Sequence, residues 1–313
     1  MEEGARRPMK VAFVGSGAFG VPTLRAIAQS TSHELLGVIT KPAKPAGRGQ
    51  KIRPTPVFDA ANEHGLDLLT PDSINDDVGQ KWLDENAPDA LVVIAYERLL
   101  SQRVLSGRFA CNLHASLLPR WRGAAPIHRA VLAADAEIGA SVIELAPSMD
   151  SGAILARKSV PRDPLITTGE WHDRMADWGP ELVLGTLDAF ASGKLKPMPQ
   201  DSQSATHAKK LEKSEGAFDP SLSCELALAQ IHGLEPWPRC SAAVAGVRVQ
   251  LRRAEIGQTG PECAGLVDEF GQFRCCDGWL RVTEVQPESR KSMSFTDFAR
   301  GLTCDWPQPM HGV

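Results

Sequence analysis

A short apolar run that passes directly into a glycine-rich turn constrains the fold more than any other feature of the sequence. Residues 10–14, Lys-Val-Ala-Phe-Val, lead into Gly15-Ser-Gly-Ala-Phe-Gly20, and residues 21–30 then have the composition of a helix. A strand, a tight turn and a helix in this order are the first unit of an open α/β sheet.

Three further apolar runs continue this pattern. Residues 35–39, 90–95 and 111–114 are predicted strands, and residues 73–86 and 124–134 are predicted helices between or after them. Alternating strands and helices predict a Rossmann-like parallel sheet covered by helices. Residues 168–191 are spaced as one or two further helices.

The last third of the chain has a different pattern. A Pro- and Ser-containing stretch follows residue 193, and beyond it one helix, residues 223–232, precedes short β-like runs separated by glycines. We therefore expect a catalytic domain at 9–193, a linker at 194–213 and a smaller β-barrel domain, OB-like, at 214–313.

Composition limits the class of protein. The chain has 313 residues, of which 42% are apolar and 23% charged, with a formal net charge of −4, so a nucleic-acid site would have to be local. The 7 cysteines contain no C-x-x-C pair, which favours buried thiols over disulfides or a metal site. Because the sequence has no long apolar run and no signal-peptide core, we expect a cytoplasmic protein without a membrane span. We also expect a monomer.

The G-x-G-x-x-G turn is also the fingerprint of dinucleotide binding, so a nicotinamide enzyme or a dinucleotide-binding module has to be considered. That function needs an acidic residue at the end of the second strand, where this chain has Thr40-Lys41-Pro42. The glycines are better explained by a tight turn and close helix packing.

Two polar residues mark the end of the 111–114 strand. Asn112 and His114 are two apart, so their side chains leave the same face of the sheet. The loop that follows lies at the carboxyl ends of the strands, where open α/β sheets bind ligands. A single Asn-x-His is also compatible with a structural histidine, because strand-end histidines are commonly hydrogen-bonded structural residues.

A third element appears at Asp150, which precedes Ser151-Gly152 in a turn between two apolar runs. With the Asn-x-His pair and the Ser116-Leu-Leu-Pro-Arg-Trp-Arg-Gly123 loop, this Asp-x-Gly makes the chain resemble the folate-dependent formyltransferase family. The similarity covers nearly the whole chain and includes Gly123-Ala-Ala-Pro-Ile127 and Glu235-Pro-Trp-Pro238. In these segments the chain is most similar to the members that act on methionyl initiator tRNA.

The resemblance implies a chemistry without metal or covalent enzyme nucleophile. An amine attacks the formyl carbon of 10-formyltetrahydrofolate, Asn112 and His114 stabilise the developing oxyanion, and Asp150 orients His114 and helps to remove the amine's proton. The same resemblance makes Ser116, Leu117, Leu118 and Pro119 the predicted folate contacts, although a buried loop without a ligand is the alternative.

A basic loop after the second strand bears on the acceptor. Residues 41–53 contain no acid, and their basic side chains are Lys41, Lys44, Arg48, Lys51 and Arg53. A solvated surface loop and an RNA contact fit this pattern about equally well. The resemblance favours contact with methionyl initiator tRNA, whereas formyltransferases of nucleotide-linked amino sugars and formyltetrahydrofolate hydrolases have no need of such a loop.

Overall fold

The computed structural model describes residues 7–46, 49–96, 98–259 and 265–313. Eight α-helices lie in these ranges: α1 (Val21–Ala28), α2 (Pro56–Glu63), α3 (Asp77–Asn86), α4 (Gln102–Leu105), α5 (Pro126–Leu132), α6 (Thr168–Ala191), α7 (Cys224–Gly233) and α8 (Phe295–Arg300). None of the described helices is long and apolar enough to cross a membrane.

The first ten of the strands are β1 (Met9–Gly15), β2 (His33–Ile39), β3 (Lys44–Ala46), β4 (Lys51–Arg53), β5 (Leu68–Leu69), β6 (Ala90–Ile94), β7 (Phe109–His114), β8 (Arg122–Gly123), β9 (Glu137–Glu144) and β10 (Ile154–Pro161). The remaining strands are β11 (His207–Ala208), β12 (Cys240–Val244), β13 (Val247–Thr259), β14 (Leu266–Val267), β15 (Gln272–Arg274), β16 (Gly278–Pro287), β17 (Met293–Ser294) and β18 (Gln308–Gly312).

A seven-stranded sheet of order β10-β9-β7-β6-β1-β2-β5 forms the N-terminal fold. The pairs β5–β2, β2–β1, β1–β6 and β6–β7 are parallel, which confirms the predicted Rossmann-like arrangement. Beyond β7 the sheet continues with β9, which was not among the predicted strands and is antiparallel to β7. Strand β8 and the 7-residue helix α5 lie between these two strands.

The glycine-rich turn is explained by close packing. A Cβ on Gly15 would lie 2.4 Å from the carbonyl oxygen of Ile94, and one on Gly20 would lie 2.9 Å from the ring of Phe13. Because these contacts leave no room for a side chain, the first strand and helix fit together only with glycine. The motif therefore has a structural explanation that needs no dinucleotide.

Helix α6 is one continuous helix despite Pro180 in its interior. A Cβ on the preceding residue, Gly179, would lie 2.2 Å from Oγ1 of Thr23 and 2.9 Å from Cδ2 of Leu113. The helix thus lies directly against β7, at a residue between Asn112 and His114.

The C-terminal strands form a closed antiparallel barrel. The order is β13-β12-β18-β14-β15-β16, and an additional β13–β16 pairing closes it, with β17 on the outside of β16. The barrel has six strands where an OB-fold has five, so the small-barrel prediction is confirmed with one additional strand. Phe273 packs edge-on to Phe218 and Phe295, with ring centroids 5.8 and 5.6 Å away, at the centre of its core.

The chain divides into two compact units. Of the described residues, one unit contains those up to 124, those at 139–159 and those at 172–207. The other contains those at 125–138, at 160–171 and from 208 onwards. The second unit therefore includes α5 and the start of α6 as well as the barrel.

Of the six cysteines in the described ranges, four are buried free thiols, Cys111, Cys224, Cys240 and Cys275. This agrees with the prediction for those positions. Cys276 is exposed and Cys304 is half-buried. Cys263 lies outside the described residues.

Candidate active site

Strand β7 presents Asn112 and His114 on one face. Their neighbours Cys111 and Leu113 are buried on the other face, as the alternation of a strand requires. His114 is buried, with 7% of its side chain exposed, and Asn112 is half-buried. Within the described part of the chain, the Asn112 side chain has no hydrogen-bond partner, so its amide is free to bind a ligand.

The His114 ring faces two protein oxygens. Its Nε2 lies 2.9 Å from the carbonyl oxygen of Trp121, and its Nδ1 lies 3.6 Å from Oδ2 of Asp150. A carbonyl oxygen can only accept, so Nε2 carries a proton. The distance from Nδ1 to Oδ2 of Asp150 is too long for a hydrogen bond, so Nδ1 lies beside the carboxylate without being hydrogen-bonded to it.

Trp121 has a backbone conformation that a bulky residue rarely adopts, with a φ of 66°. Left-handed backbone costs about 1–2 kcal/mol for such a residue. In this conformation the Trp121 carbonyl accepts from His114, and its N–H donates to Oγ1 of Thr206 at 2.9 Å. The residue with the strained backbone is therefore the one whose carbonyl fixes the His114 tautomer.

Three hydrogen bonds hold the turn that contains Asp150. Its φ is 52°, which aspartate tolerates better than most residues, and its Oδ2 accepts a hydrogen bond of 2.9 Å from the N–H of Gly123. The side-chain amide of Gln200 donates to the carbonyls of Asp150 and Gly152, at 2.8 and 2.7 Å. A Cβ on Gly152 would lie 1.7 Å from the carbonyl oxygen of Glu144, so the turn accepts only glycine there.

The three predicted catalytic residues therefore come from two segments that the sheet brings to one edge. Asn112 and His114 share a strand face, and the Asp150 carboxylate reaches the His114 ring. Sequence reasoning did not identify Gln200 or the Trp121 carbonyl, since each acts through a contact between distant segments that no local pattern marks.

The thiol of Cys111, which also lies on β7, is unreactive. Complete burial raises the pKa of its thiol to about 12. A thiol in this state is protonated at neutral pH and a poor nucleophile.

Residues 116–119 form a hydrogen-bonded turn beside the trio. The Ser116 hydroxyl donates to the carbonyl of Arg120 at 2.7 Å, and the Ser141 hydroxyl donates to the carbonyl of Ser116 at 2.8 Å. The Leu118 side chain is fully buried in the core, and Leu117 packs on Gly139. This turn offers a folate its backbone groups and the partly exposed side chains of Leu117 and Pro119. Contact with the folate stays a prediction.

The basic loop contains a hairpin. Strands β3 and β4 pair antiparallel, with Lys44 opposite Arg53 and Ala46 opposite Lys51. Lys44, Lys51 and Arg53 are exposed. Arg48 lies outside the described residues, and Lys41 is a half-buried residue at the start of the loop.

A hydrogen bond between two threonines connects the base of this hairpin to the end of β2. The Oγ1 atoms of Thr40 and Thr55 are 2.7 Å apart, and Thr55 also caps α2 by accepting from the N–H of Phe58. Strands β2 and β7 run in the same direction with β1 and β6 between them. Their carboxyl ends are therefore about 14–15 Å apart along one edge of the sheet, at about 4.8 Å per strand.

The described residues contain no group of three or more His, Cys, Asp or Glu that could hold a metal ion.

Two family models match the chain. The formyl transferase model matches residues 9–187, and the formyl transferase C-terminal domain model matches residues 210–303. Among solved structures, the sugar 3N-formyl transferase WlaRD superimposes with a TM-score of 0.67 at 13% identity, covering 90% of this chain and 99% of that one. HypX from Aquifex aeolicus, in complex with tetrahydrofolic acid, gives a TM-score of 0.59 at 17% identity over 93% of this chain, which spans 46% of the HypX chain. Both show the fold.

Curated relatives are much closer in sequence. The methionyl-tRNA formyltransferase of Methylobacillus flagellatus is 39% identical over 298 residues, which cover 94% of this chain and 96% of that protein. The enzyme of the same name from Moorella thermoacetica is 37% identical over 302 residues, with coverage of 94% and 96%. The chain belongs to the methionyl-tRNA formyltransferase family.

Proposed function

We propose that this protein transfers the formyl group of 10-formyltetrahydrofolate to the free amino group of methionyl initiator tRNA, giving the formylmethionyl-tRNA used in translation initiation. The observation that carries the proposal is the meeting of Asn112, His114 and Asp150 at the carboxyl edge of the sheet, with the His114 ring 3.6 Å from the Asp150 carboxylate.

The trio has the groups that a direct transfer to an amine requires. When bound, 10-formyltetrahydrofolate supplies a formyl group that is already activated on nitrogen. The Asn112 amide, which has no partner among the described side chains, can donate to an oxygen that gains negative charge. The unprotonated Nδ1 of His114 can take up a proton, and the imidazolium formed in this way can stabilise the same oxygen.

Asp150 completes this arrangement from the other side of the ring. Its negative charge stabilises the charged form of an imidazole close to it. The attacking amine can pass its proton to Nδ1 of His114, where the Asp150 carboxylate stabilises the resulting positive charge. The proton can then pass to N10 of the tetrahydrofolate as the bond between N10 and the formyl carbon breaks. The protonated Cys111 thiol gives no support to a covalent enzyme intermediate.

We propose that the folate binds at the turn formed by Ser116, Leu117, Leu118 and Pro119. It follows His114 directly, and its backbone can read the polar edge of a pterin, while Leu117 and Pro119 are its partly exposed apolar residues. The buried Leu118 would act by holding the turn in place.

For the tRNA we propose the basic hairpin, through Lys41, Lys44, Lys51 and Arg53, together with Arg48. The hairpin lies on the same sheet edge as the trio, and its exposed cations match the phosphates of an RNA end. A span of about 14–15 Å between strand ends suits an acceptor end whose aminoacyl group reaches the trio.

The domain division that we propose is a catalytic domain at 9–193, a linker at 194–213 and a tRNA-binding barrel domain at 214–313. The family matches at 9–187 and 210–303 support it. We further propose that the protein acts as a monomer in the cytoplasm, where charged tRNA is found.

The test is detection of formylmethionine on charged initiator tRNA by acid gel or mass spectrometry, after incubation with 10-formyltetrahydrofolate. Product from the wild type and little from His114→Ala would support both substrate and site. If wild-type protein binds folate but forms no product on the tRNA, the tRNA proposal fails, and amino-sugar acceptors and hydrolysis become the functions to measure.

A further inference from the structure

We infer that Gln200 is a positioning residue for Asp150, and that Arg122 holds Gln200 in the orientation this role needs. The inference rests on the proposed role of Asp150 in formyl transfer. It gives a function in the reaction to a segment that the sequence predicts to be a linker.

Gln200 differs from its neighbours in burial. It is half-buried, whereas residues 196–199 and 201–204 on both sides of it are exposed. The segment is attached to the sheet two residues earlier, because the backbone groups of Met198 and Ile154 exchange hydrogen bonds of 2.8 and 2.9 Å. Gln200 thus enters the site from a segment anchored to the edge strand β10.

Each hydrogen-bond partner of the Gln200 amide can act only as a donor or only as an acceptor. Its Nε2 donates to the carbonyl oxygens of Asp150 and Gly152, which can only accept. Its Oε1 accepts from Nε and Nη2 of Arg122, at 3.0 and 2.7 Å, and a guanidinium can only donate. Exchanging the amide oxygen and nitrogen would break all four hydrogen bonds, so the orientation is unique.

These contacts close a ring around Asp150. Gln200 fixes the Asp150 backbone and is fixed by Arg122, and the next residue, Gly123, donates its N–H to the Asp150 carboxylate at 2.9 Å. Both the main chain and the carboxylate of Asp150 are therefore held in place by the segment 122–123. The left-handed conformation of Asp150, with a φ of 52°, is held by this ring.

The ring connects the turn to the histidine as well. Trp121, adjacent to Arg122, accepts from Nε2 of His114. Since the carboxylate and the imidazole are thus positioned from neighbouring residues, a change at Gln200 should alter the relative placement of Asp150 and His114.

The experiment compares Gln200→Glu and Gln200→Met with Gln203→Glu in the full-length protein. Glutamate at 200 keeps the size but cannot donate to the two carbonyls, and methionine removes the hydrogen bonds without adding charge. Gln203 is an exposed glutamine three residues further along the same segment, so its substitution controls for the added charge. The readouts are kcat and KM for both substrates, and the thermal midpoint.

We expect both Gln200 variants to lower kcat about 10- to 100-fold, with either KM changed less than about twofold, because misplacing a catalytic group by about 1 Å has an effect of this size. Gln203→Glu should retain the wild-type kcat. In an Asp150→Ala background, Gln200→Glu should change kcat less than about twofold, since the residue it positions is gone.

A merely structural Gln200 would instead lower kcat equally in both backgrounds, or leave kcat unchanged and lower only the thermal midpoint. Either result overturns the inference while leaving the proposed function intact. If Asp150→Ala itself keeps the wild-type kcat, the proposed role of Asp150 fails and this inference fails with it.

Discussion

Oδ2 of Asp150 lies 3.6 Å from Nδ1 of His114 and accepts a hydrogen bond from the N–H of Gly123 at 2.9 Å. One carboxylate oxygen is therefore both anchored to the backbone and placed close to the imidazole. Once Nδ1 takes up a proton, a shift of about half an ångström would complete a hydrogen bond from Nδ1 to Oδ2, in keeping with catalytic contacts that tighten when substrate binds.

Removing the charge of Asp150 should impair catalysis through His114. Asp150→Asn retains an oxygen that can accept from Gly123 but loses the negative charge, so we expect kcat to fall by about 10²-fold or more. The double variant with His114→Ala should be no slower than His114→Ala alone, because the two residues act as one unit. Steady-state kinetics on charged tRNA measure this, and fully additive losses would contradict it.

Asn112→Ala should separate catalysis from stability. Its amide has no partner in the described structure, so its removal breaks no internal hydrogen bond and should change the free energy of unfolding by less than about 0.5 kcal/mol. The loss of an oxyanion donor should lower kcat by about 10²- to 10³-fold. Denaturant unfolding and kinetics on the same preparation test both expectations, and a large loss of stability would show that Asn112 is structural.

Charge reversal on the basic hairpin should weaken tRNA binding without affecting the chemistry. Lys51→Glu should raise the KM for charged tRNA at least about threefold and lower the salt dependence of binding, because an RNA phosphate loses its partner. Its kcat should stay within about twofold. Lys81→Glu is the control, since Lys81 is 75% exposed on α3. Equal effects of the two substitutions would contradict a specific hairpin contact.

Two glycines of α6 should respond to alanine in opposite directions. Apart from the adjoining helix backbone, no atom lies within 4 Å of the position that a methyl group on Gly185 would take, so Gly185→Ala should stabilise the helix by about 0.5–1 kcal/mol. Gly179→Ala would place a methyl group 2.2 Å from Oγ1 of Thr23 and should destabilise the protein by about 1–3 kcal/mol. Thermal and denaturant unfolding measure both changes, and a destabilising Gly185→Ala would contradict this packing.

The barrel unit should lose stability as the pH falls below about 6.5. Burial lowers the pKa of His232, whose Nδ1 donates to the carbonyl of Pro164 and whose Nε2 accepts from the N–H of Ala254. The unfolded chain, with a pKa near 6.5, then binds more protons than the folded one below that pH. This contribution is complete above pH 6.5 and is lost as the pH falls towards the lowered pKa, by at most about 1.4 kcal/mol per pH unit.

His33, whose pKa is also lowered by burial, acts in the same direction. The measurement is therefore the free energy of unfolding between pH 7.5 and 5 for the wild type and for His232→Gln, which keeps a donor and an acceptor without titrating. A smaller pH dependence in the variant is expected, and an equal one would exclude His232 as a source.

The sequence predicted those parts of the fold in which local pattern and tertiary structure agree. Strands β1, β2, β6 and β7 are apolar runs, and the period of a strand was sufficient to put Asn112 and His114 on one face. The helix predicted at 73–86 begins only at Asp77, because Asp76 caps it by accepting from the N–H of Gly79. Strand β18 was not identified, since Gln308–Gly312 has a proline, a glycine and little β propensity.

The complete catalytic site could be predicted only from the family resemblance. Asp150 lies 36 residues after His114 in the sequence, and no spacing rule brings them together. Gln200 lies a further 50 residues along, in a polar segment whose composition suggests only a linker. Its role becomes visible only when the hydrogen bonds to Asp150, Gly152 and Arg122 are considered together.

The most direct test of the whole account is a competition in one reaction. Wild-type protein is incubated with 10-formyltetrahydrofolate labelled in the formyl group, charged initiator tRNA and a nucleotide-linked amino sugar, and the label is followed into formylmethionine, formylated sugar and formate. We predict that the label goes to the methionine of the tRNA, and that His114→Ala abolishes most of this transfer. Label appearing mainly in the sugar or in formate would contradict the assignment of methionyl-tRNA as the acceptor.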